Sequence, residues 1–239
     1  ADYPYVNGGI FEGYLSTADF SGPTLNALLE ACRFNWQAVS PAIFGALFES
    51  ILDPNEQRQK GAHYTSETNI RKVIEPLFLD RFRERLKTMS AKRSVPKAEL
   101  VRFLKDLSSL SIFDPACGCG NFLVVAYKEL RALEIEALQL LYPDQFEMTA
   151  LDADRLSVRQ FHGIELNEFA VEIARAAMWM TDHIMNNDLS AKFGVPYARI
   201  PLTESPHIKK ADALEIDWSA FVPPTAQTYV IGNPPFIGS

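Results

Sequence analysis

The sequence predicts an α/β protein, a partial doubly wound parallel sheet with an N-terminal helical segment, and three observations carry that prediction. From about residue 109 onward, short apolar runs alternate with longer stretches of helix periodicity, the pattern of successive β-α-β units. The first of these runs, Ser111-Ile112-Phe113, passes into Asp114-Pro115 and a glycine loop, Cys117-Gly118-Cys119-Gly120, that opens onto a helix. Upstream of residue 109, apolar residues recur at helix spacing instead.

Taken in order, residues 1–23 mix Pro4, Gly8, Gly9, Gly13, Gly22 and Pro23 with aromatics and read as an irregular segment lying on another surface. A helix starts at Thr24, where Leu25, Leu28, Leu29 and Cys32 share one stripe. A second starts with Ser40 as cap and Pro41 in the first turn, turning Ile43, Phe44, Leu47, Phe48 and Ile51 inward. The third follows Ser66 and carries Ile70, Val73, Ile74, Leu77 and Phe78, with Pro76 expected to kink or split it. A further helix fits Pro96 to Leu107.

The sheet half reads as a strand over 110–113, the loop 114–120, and a helix through about Leu140. After an insertion of low regularity comes a strand over 161–165. Asn167 then caps a helix bearing Val171, Ile173, Ala174, Ala177 and Met178. A weak strand near Ile208 precedes Asp212, and Thr228 to Ile231 forms the last strand. The expected division is a helical spacer over 1–60 and a second unit over 61–239.

The bulk numbers set bounds. With 239 residues, 47% hydrophobic and 22% charged, the composition is that of an ordinary globular protein. The net charge of −7, from 23 basic and 30 acidic residues, opposes strong DNA binding by phosphate neutralisation. If DNA is a partner, most of its backbone contacts lie elsewhere. The basic run Arg81, Arg83, Arg85, Lys87, Lys92, Arg93 and Lys97 is interleaved with Asp80 and Glu84 and reads as a solvated face. Three cysteines, Cys32, Cys117 and Cys119, make no disulfide framework and fit a reducing cytoplasm. Cys117-x-Cys119 lacks the second pair of a zinc set, so no metal is expected. No apolar run has membrane-crossing length and no signal peptide is evident, so a soluble, membrane-free protein is expected. Ala1 and Ser239 bound what reads as a fragment of a longer polypeptide.

In open parallel sheets, ligands sit beyond the carboxyl ends of the strands, and four polar residues fall at or just past such ends: Asp114, Glu165, Asp212 and Asn233. Asp114 beside the glycines can accept from a cationic amine, while the same loop also fits a plain strand-to-helix turn. Glu165 can receive both hydroxyls of a ribose or serve as a helix cap. Asp212 can accept from an adenine amino group, with Ala213 and Leu214 on the ring. His63-Tyr64-Thr65-Ser66 opens a helix whose amides and hydroxyls suit a carboxylate; Ser66 as an ordinary cap fits equally. Asn233-Pro234-Pro235-Phe236 puts an amide and an aromatic ring at a strand end, the pairing that holds a planar amine against an electrophile.

The ordered set Gly61-Ala62-His63-Tyr64-Thr65, Phe113-Asp114-Pro115-Ala116-Cys117-Gly118-Cys119-Gly120, Glu165, Asp212-Ala213-Leu214 and Asn233-Pro234-Pro235-Phe236 resembles the motifs of γ-class adenine-specific DNA methyltransferases. The resemblance is nearest to the methyltransferase region of the large single-chain type IIG and IIL restriction-modification enzymes. Pro4-Tyr5-Val6-Asn7-Gly8-Gly9 looks like the segment joining their helical spacer to that region.

The resemblance implies a class I, Rossmann-like fold and S-adenosyl-L-methionine as cofactor. Asp114, Ala116, Gly118, Gly120, Asn121 and Phe122 would surround the methionine part, and Tyr64 and Thr65 its carboxylate. Glu165 and Leu166 would meet the ribose, and Asp212, Ala213 and Leu214 the adenine. Asn233, Pro234, Pro235 and Phe236 would hold an adenine flipped out of double-stranded DNA. It also implies that 61–239 stops before the last strands and a target-recognition domain, leaving an open sheet edge and a piece inactive alone, within a bacterial cytoplasmic enzyme. Two alternatives stay open: a methyltransferase acting on protein glutamine or RNA bases, and a non-catalytic interaction module.

Overall fold

The computed structural model describes residues 19–34, 43, 65–92, 94–143, 155–194 and 205–234. Residues 1–18, nearly all of the helix expected from Ser40, residues 144–154 of the insertion, and Tyr64, Pro235 and Phe236 lie outside the described residues.

Strands β1 (Ser111–Asp114), β2 (Phe161–Glu165), β3 (His207–Lys210) and β4 (Thr228–Val230) form one all-parallel sheet in the order β3, β2, β1, β4. Ile112 stands between Phe161 and Tyr229, which fixes the register of the central strands. The chain steps outward from β1 through β2 to β3, then crosses back to lay β4 on the other side of β1. The order therefore reverses between β1 and β4, and their carboxyl ends bound the crevice where such sheets bind ligands.

Among the described residues the helices are α1 (Gly22–Arg33), α2 (Glu67–Ile74), α3 (Asp80–Ser90), α4 (Lys97–Ser108), α5 (Asn121–Leu141), α6 (Glu168–Phe193) and the short α7 (Trp218–Phe221). α1 begins two residues earlier than the sequence reading had it, because Ser21 caps it and Pro23 is tolerated in the first turn. Ser66 caps α2, with its Oγ accepting from Asn69 N at 3.4 Å. Pro76 has no N–H to continue the ladder, and the chain widens into a π-turn, Glu75–Leu79, closed by Asp80 N donating to Glu75 O. The helix runs on into α3 rather than breaking. The expected inward stripe is also narrower than predicted: Ile70, Ile74 and Phe78 are buried, whereas Val73 and Leu77 are exposed. Spacing by four keeps Ile70, Ile74 and Phe78 on one line, turned into the core shared with α5 and, at Phe78, against Tyr229 of β4, and the other two fall to its flank.

The main core lies on one face of the sheet, where Ile112 and Phe161 pack with α2 through α6. The other face carries a smaller cluster of Phe113, Ile164 and Val222, covered by Phe221 and by Trp218 set edge-on to Phe113 at 5.3 Å. Between α5 and α6 runs a buried polar network. Arg131 pairs with Glu134 and donates to Asn186 Oδ1 at 2.7 Å, while Glu134 Oε1 accepts from Leu156 N at 2.8 Å. The basic run is largely spent within the fold: Arg83 bridges Glu75 and Glu129, Arg85 pairs with Asp106 and Lys92 with Glu99. Arg93 lies outside the described residues. No helix among the described residues is long and apolar enough to cross a membrane. β4 pairs with β1 alone among the described strands, so its outer edge is unpaired there.

Candidate functional site

The site begins with Asp114, the last residue of β1, whose side chain is 1% exposed. Its Oδ1 accepts from Ala116 N at 3.0 Å. Burial, opposed by that N–H and reinforced by nearby Glu165, pushes the carboxyl up to about 7. No cation pairs with it among the described residues.

The loop that follows is folded onto β2. Cys117 N donates to Ile164 O at 3.0 Å, Gly118 N to Glu165 Oε2 at 3.0 Å, and Gly120 N to Cys117 O at 2.8 Å. Gly120 has a φ of 82°, and a Cβ there would stand 3.0 Å from that of Ala174 on α6. A side chain would push the loop off the neighbouring helix. Glu165 is doubly anchored, since its Oε1 also accepts from Asn167 N at 2.9 Å, and Asn167 caps α6. Each carboxylate oxygen keeps a second lone pair for a hydroxyl ligand. Cys117 and Cys119 are buried, and burial followed by the charges of Asp114 and Glu165 raises the Cys117 thiol well above its usual range. Among the described residues no group of three or more His, Cys, Asp or Glu is placed to hold a metal.

The remaining predicted residues divide by placement. Asp212, just past β3, has its Oδ1 occupied by Leu214 N at 2.9 Å, which sets a tight turn. That turn leaves Leu214 92% exposed, while Ala213 packs into the Phe113 cluster. Leu166 is 64% exposed beside the end of β2, and Phe122 faces the main core from the first turn of α5. Asn121 starts α5 half-buried and Ala116 is half-buried in the loop. Pro234 is exposed past β4.

β4 delivers Asn233 to the same crevice. Ile231 N donates to Phe113 O at 2.8 Å, extending the β1–β4 pairing by one bond beyond the strand. Gly232 then takes a φ of 148°, and a Cβ built on it would lie 2.5 Å from Asp114 Oδ1. The chain thus passes in contact with the buried carboxyl immediately before Asn233. Asn233 Nδ2 in turn donates to Thr65 Oγ1 at 3.3 Å, across 168 positions of sequence. Asp114, Gly232, Asn233 and Thr65 are brought together in one place.

Two features escaped the sequence reading. One is Gly232, although a glycine between an apolar strand and Asn-Pro-Pro signals a close backbone approach. The other is the pairing of Thr65 with Asn233: the sequence suits Thr65 to a carboxylate alone, and no local pattern announces its partner so far along the chain.

Known proteins share this sequence pattern and this fold. The sequence model of the family described as MmeI, DNA-methyltransferase domain, matches residues 87–239. The chain superposes with a TM-score of 0.89 on the solved structure of the type IIL restriction-modification enzyme MmeI in complex with DNA. The two are 46% identical, over 99% of this chain and 31% of that one. DNA methyltransferase A of Bacillus subtilis (strain 168) is 34% identical over 242 residues, covering 100% of this chain and 27% of that protein. The chain therefore spans about a third or less of the length of these relatives. With its parallel sheet, its glycine loop at the end of β1 and its Asn-Pro segment at the end of β4, the chain belongs to the family of MmeI-type DNA-methyltransferase domains.

Proposed function

We propose that this chain is the cofactor-binding and catalytic part of an S-adenosyl-L-methionine-dependent, adenine-specific DNA methyltransferase of a restriction-modification system. The observation that carries the reading is the contact of Gly232 with Asp114, which sets Asn233 beside the glycine loop at the point where strand order reverses. Asp114 supports the cofactor's fit: a buried carboxyl with no cation paired to it among the described residues, reinforced by Glu165, matches a ligand bearing an ammonium and a sulfonium. In this reading Glu165 receives the ribose hydroxyls, and Asp212 and Leu214 meet the adenine. Thr65 and Tyr64 stand at the carboxylate.

Bound there, the cofactor would supply an electrophilic methyl group to the target amine, with a neutral thioether as its leaving group. The protein's part is to hold the amine. Asn233 Oδ1 and the Pro234 carbonyl accept its two hydrogens, drawing the nitrogen toward a tetrahedral shape and aiming its lone pair at the methyl group. The proton released from the methylated amine passes to solvent, so no strong base is needed. Phe236 stacks on the flipped adenine. Residues 1–60 act as a spacer and 61–239 as the methyltransferase part. With a net charge of −7, most phosphate contacts come from beyond this chain, in a cytoplasmic setting.

The test is methyl transfer by the complete polypeptide to unmethylated duplex DNA, with the modified nucleoside identified by mass. N6-methyl-2′-deoxyadenosine is expected from the wild type and not from Asn233→Ala. A methylated cytosine would refute the adenine assignment, and methylation of protein glutamine instead of DNA would refute the substrate class.

A further inference from the structure

We infer that Thr65 is a positioning residue, which turns the Asn233 amide so that its oxygen faces the substrate amine and couples that orientation to an occupied cofactor site. The inference rests on the function proposed above and deepens it. A carboxamide has an acceptor at one end and donors at the other, and rotating it by half a turn exchanges them with almost no change of shape. Turned the wrong way, Asn233 would present N–H groups to an amine that itself needs acceptors. The side chain is exposed, so packing does not select the orientation.

One of the two orientations is present: Nδ2 donates to Thr65 Oγ1 at 3.3 Å, leaving Oδ1 on the opposite side. The backbone before it is already fixed by the contact of Gly232 with Asp114.

A hydroxyl donates one proton and accepts with its lone pairs, so Thr65 by itself tolerates both amide orientations. The choice becomes one-sided when the proton is engaged elsewhere. Thr65 directly precedes Ser66 and α2, whose first N–H groups point toward this end of the molecule. A carboxylate held there takes the Thr65 proton and leaves only lone pairs toward Asn233. Thr65 then reports the presence of the cofactor's carboxylate to the residue that holds the substrate, over a path of two hydrogen bonds.

The experiment compares Thr65→Val, which keeps shape and removes the hydroxyl, with Thr65→Ser, which keeps the hydroxyl, in the complete polypeptide. Single-turnover methylation of duplex DNA and calorimetric binding of S-adenosyl-L-methionine are measured on each, with thermal melts to confirm folding. The transfer rate of Thr65→Val should fall roughly three- to tenfold, the effect of one ordinary hydrogen bond, and by more than cofactor affinity falls. Thr65→Ser should restore it. In an Asn233→Asp background the two ends of the side chain are identical, so Thr65→Val should cost less than about twofold.

Three results would overturn the inference while leaving the proposed function intact: an unchanged rate in Thr65→Val, a loss of cofactor affinity that accounts for the whole rate change, or the same loss in both backgrounds. A wild type that transfers no methyl group to DNA would overturn the proposed function and the inference together.

Discussion

Replacing Gly232 by alanine probes the contact on which the site's geometry turns. A Cβ at this position would lie 2.5 Å from Asp114 Oδ1, 3.1 Å from its Cγ and 3.4 Å from Oδ2. Asp114 has no room to yield, since it is 1% exposed and its Oδ1 is held by Ala116 N at 3.0 Å. Two penalties therefore add: an overpacked contact of about 1–3 kcal/mol, and a backbone at φ 148° that costs a side-chain-bearing residue about 1–3 kcal/mol more. At about 2–4 °C per kcal/mol for a chain of this size, a combined ~3 kcal/mol lowers the melting temperature by roughly 6–12 °C. The substitution also displaces Asn233, so the methyl-transfer rate should fall further than stability alone explains. The control is Asp114→Ala, which removes the obstructing carboxyl. On that background Gly232→Ala should retain only the backbone part of the loss. Melting within a degree of wild type with an unchanged rate would refute the reasoning.

Burial gives Asp114 a pH signature. Its carboxyl ionises near 7 in the fold and near 3.8 when unfolded, so its contribution to stability falls as pH rises from about 4 to 7 and is level above. A cationic cofactor favours the ionised form, and its affinity by calorimetry should rise with pH up to about 7, a trend that Asp114→Asn should flatten. His162, stacked on His207, is held down to about 4 by burial and then by His207. The unfolded chain takes up a proton near 6.5 that the fold refuses, so stability should drop as pH falls from 6.5 toward 4, less so in His162→Phe urea melts. Arg131→Met removes the close cation of buried Glu134, leaving only Arg155 Nε at 4.0 Å, and should cost about 3–5 kcal/mol by denaturant unfolding. A loss under 1 kcal/mol would refute that burial argument.

The sheet was legible because β1, β2 and β4 carry short apolar patterns that end at chemistry-bearing residues, while β3, with Ile208 alone apolar, gives only a weak signal; β2 lies over 161–165 as its pattern predicts. Asn167 was legible as a cap for the same local reason. What the sequence hid was non-local. The flank position of Val73 and Leu77 depends on where α5 lies against this stretch, not on helix periodicity alone. The partners of Arg83, namely Glu75 and Glu129, come from a turn and a helix far apart in sequence. Of the candidate site, Asp114, Glu165, Asp212 and Asn233 could be read as strand-end groups, yet the contact of Gly232 with Asp114 and the pairing of Thr65 with Asn233 emerge only once β4 is laid beside β1. Ala213 and Phe122 stand in sequence motifs but turn their side chains toward apolar clusters, because the neighbouring turn and helix fix their direction.

The most direct test of a shared crevice at the ends of β1 and β4 is a crystal structure of the complete polypeptide with S-adenosylhomocysteine and duplex DNA. The account predicts the ligand's amino group at Asp114, its ribose at Glu165, and an extruded adenine whose amine meets Asn233 Oδ1. A ligand seated away from the glycine loop, or an Asn233 amide turned from the extruded base, would contradict it.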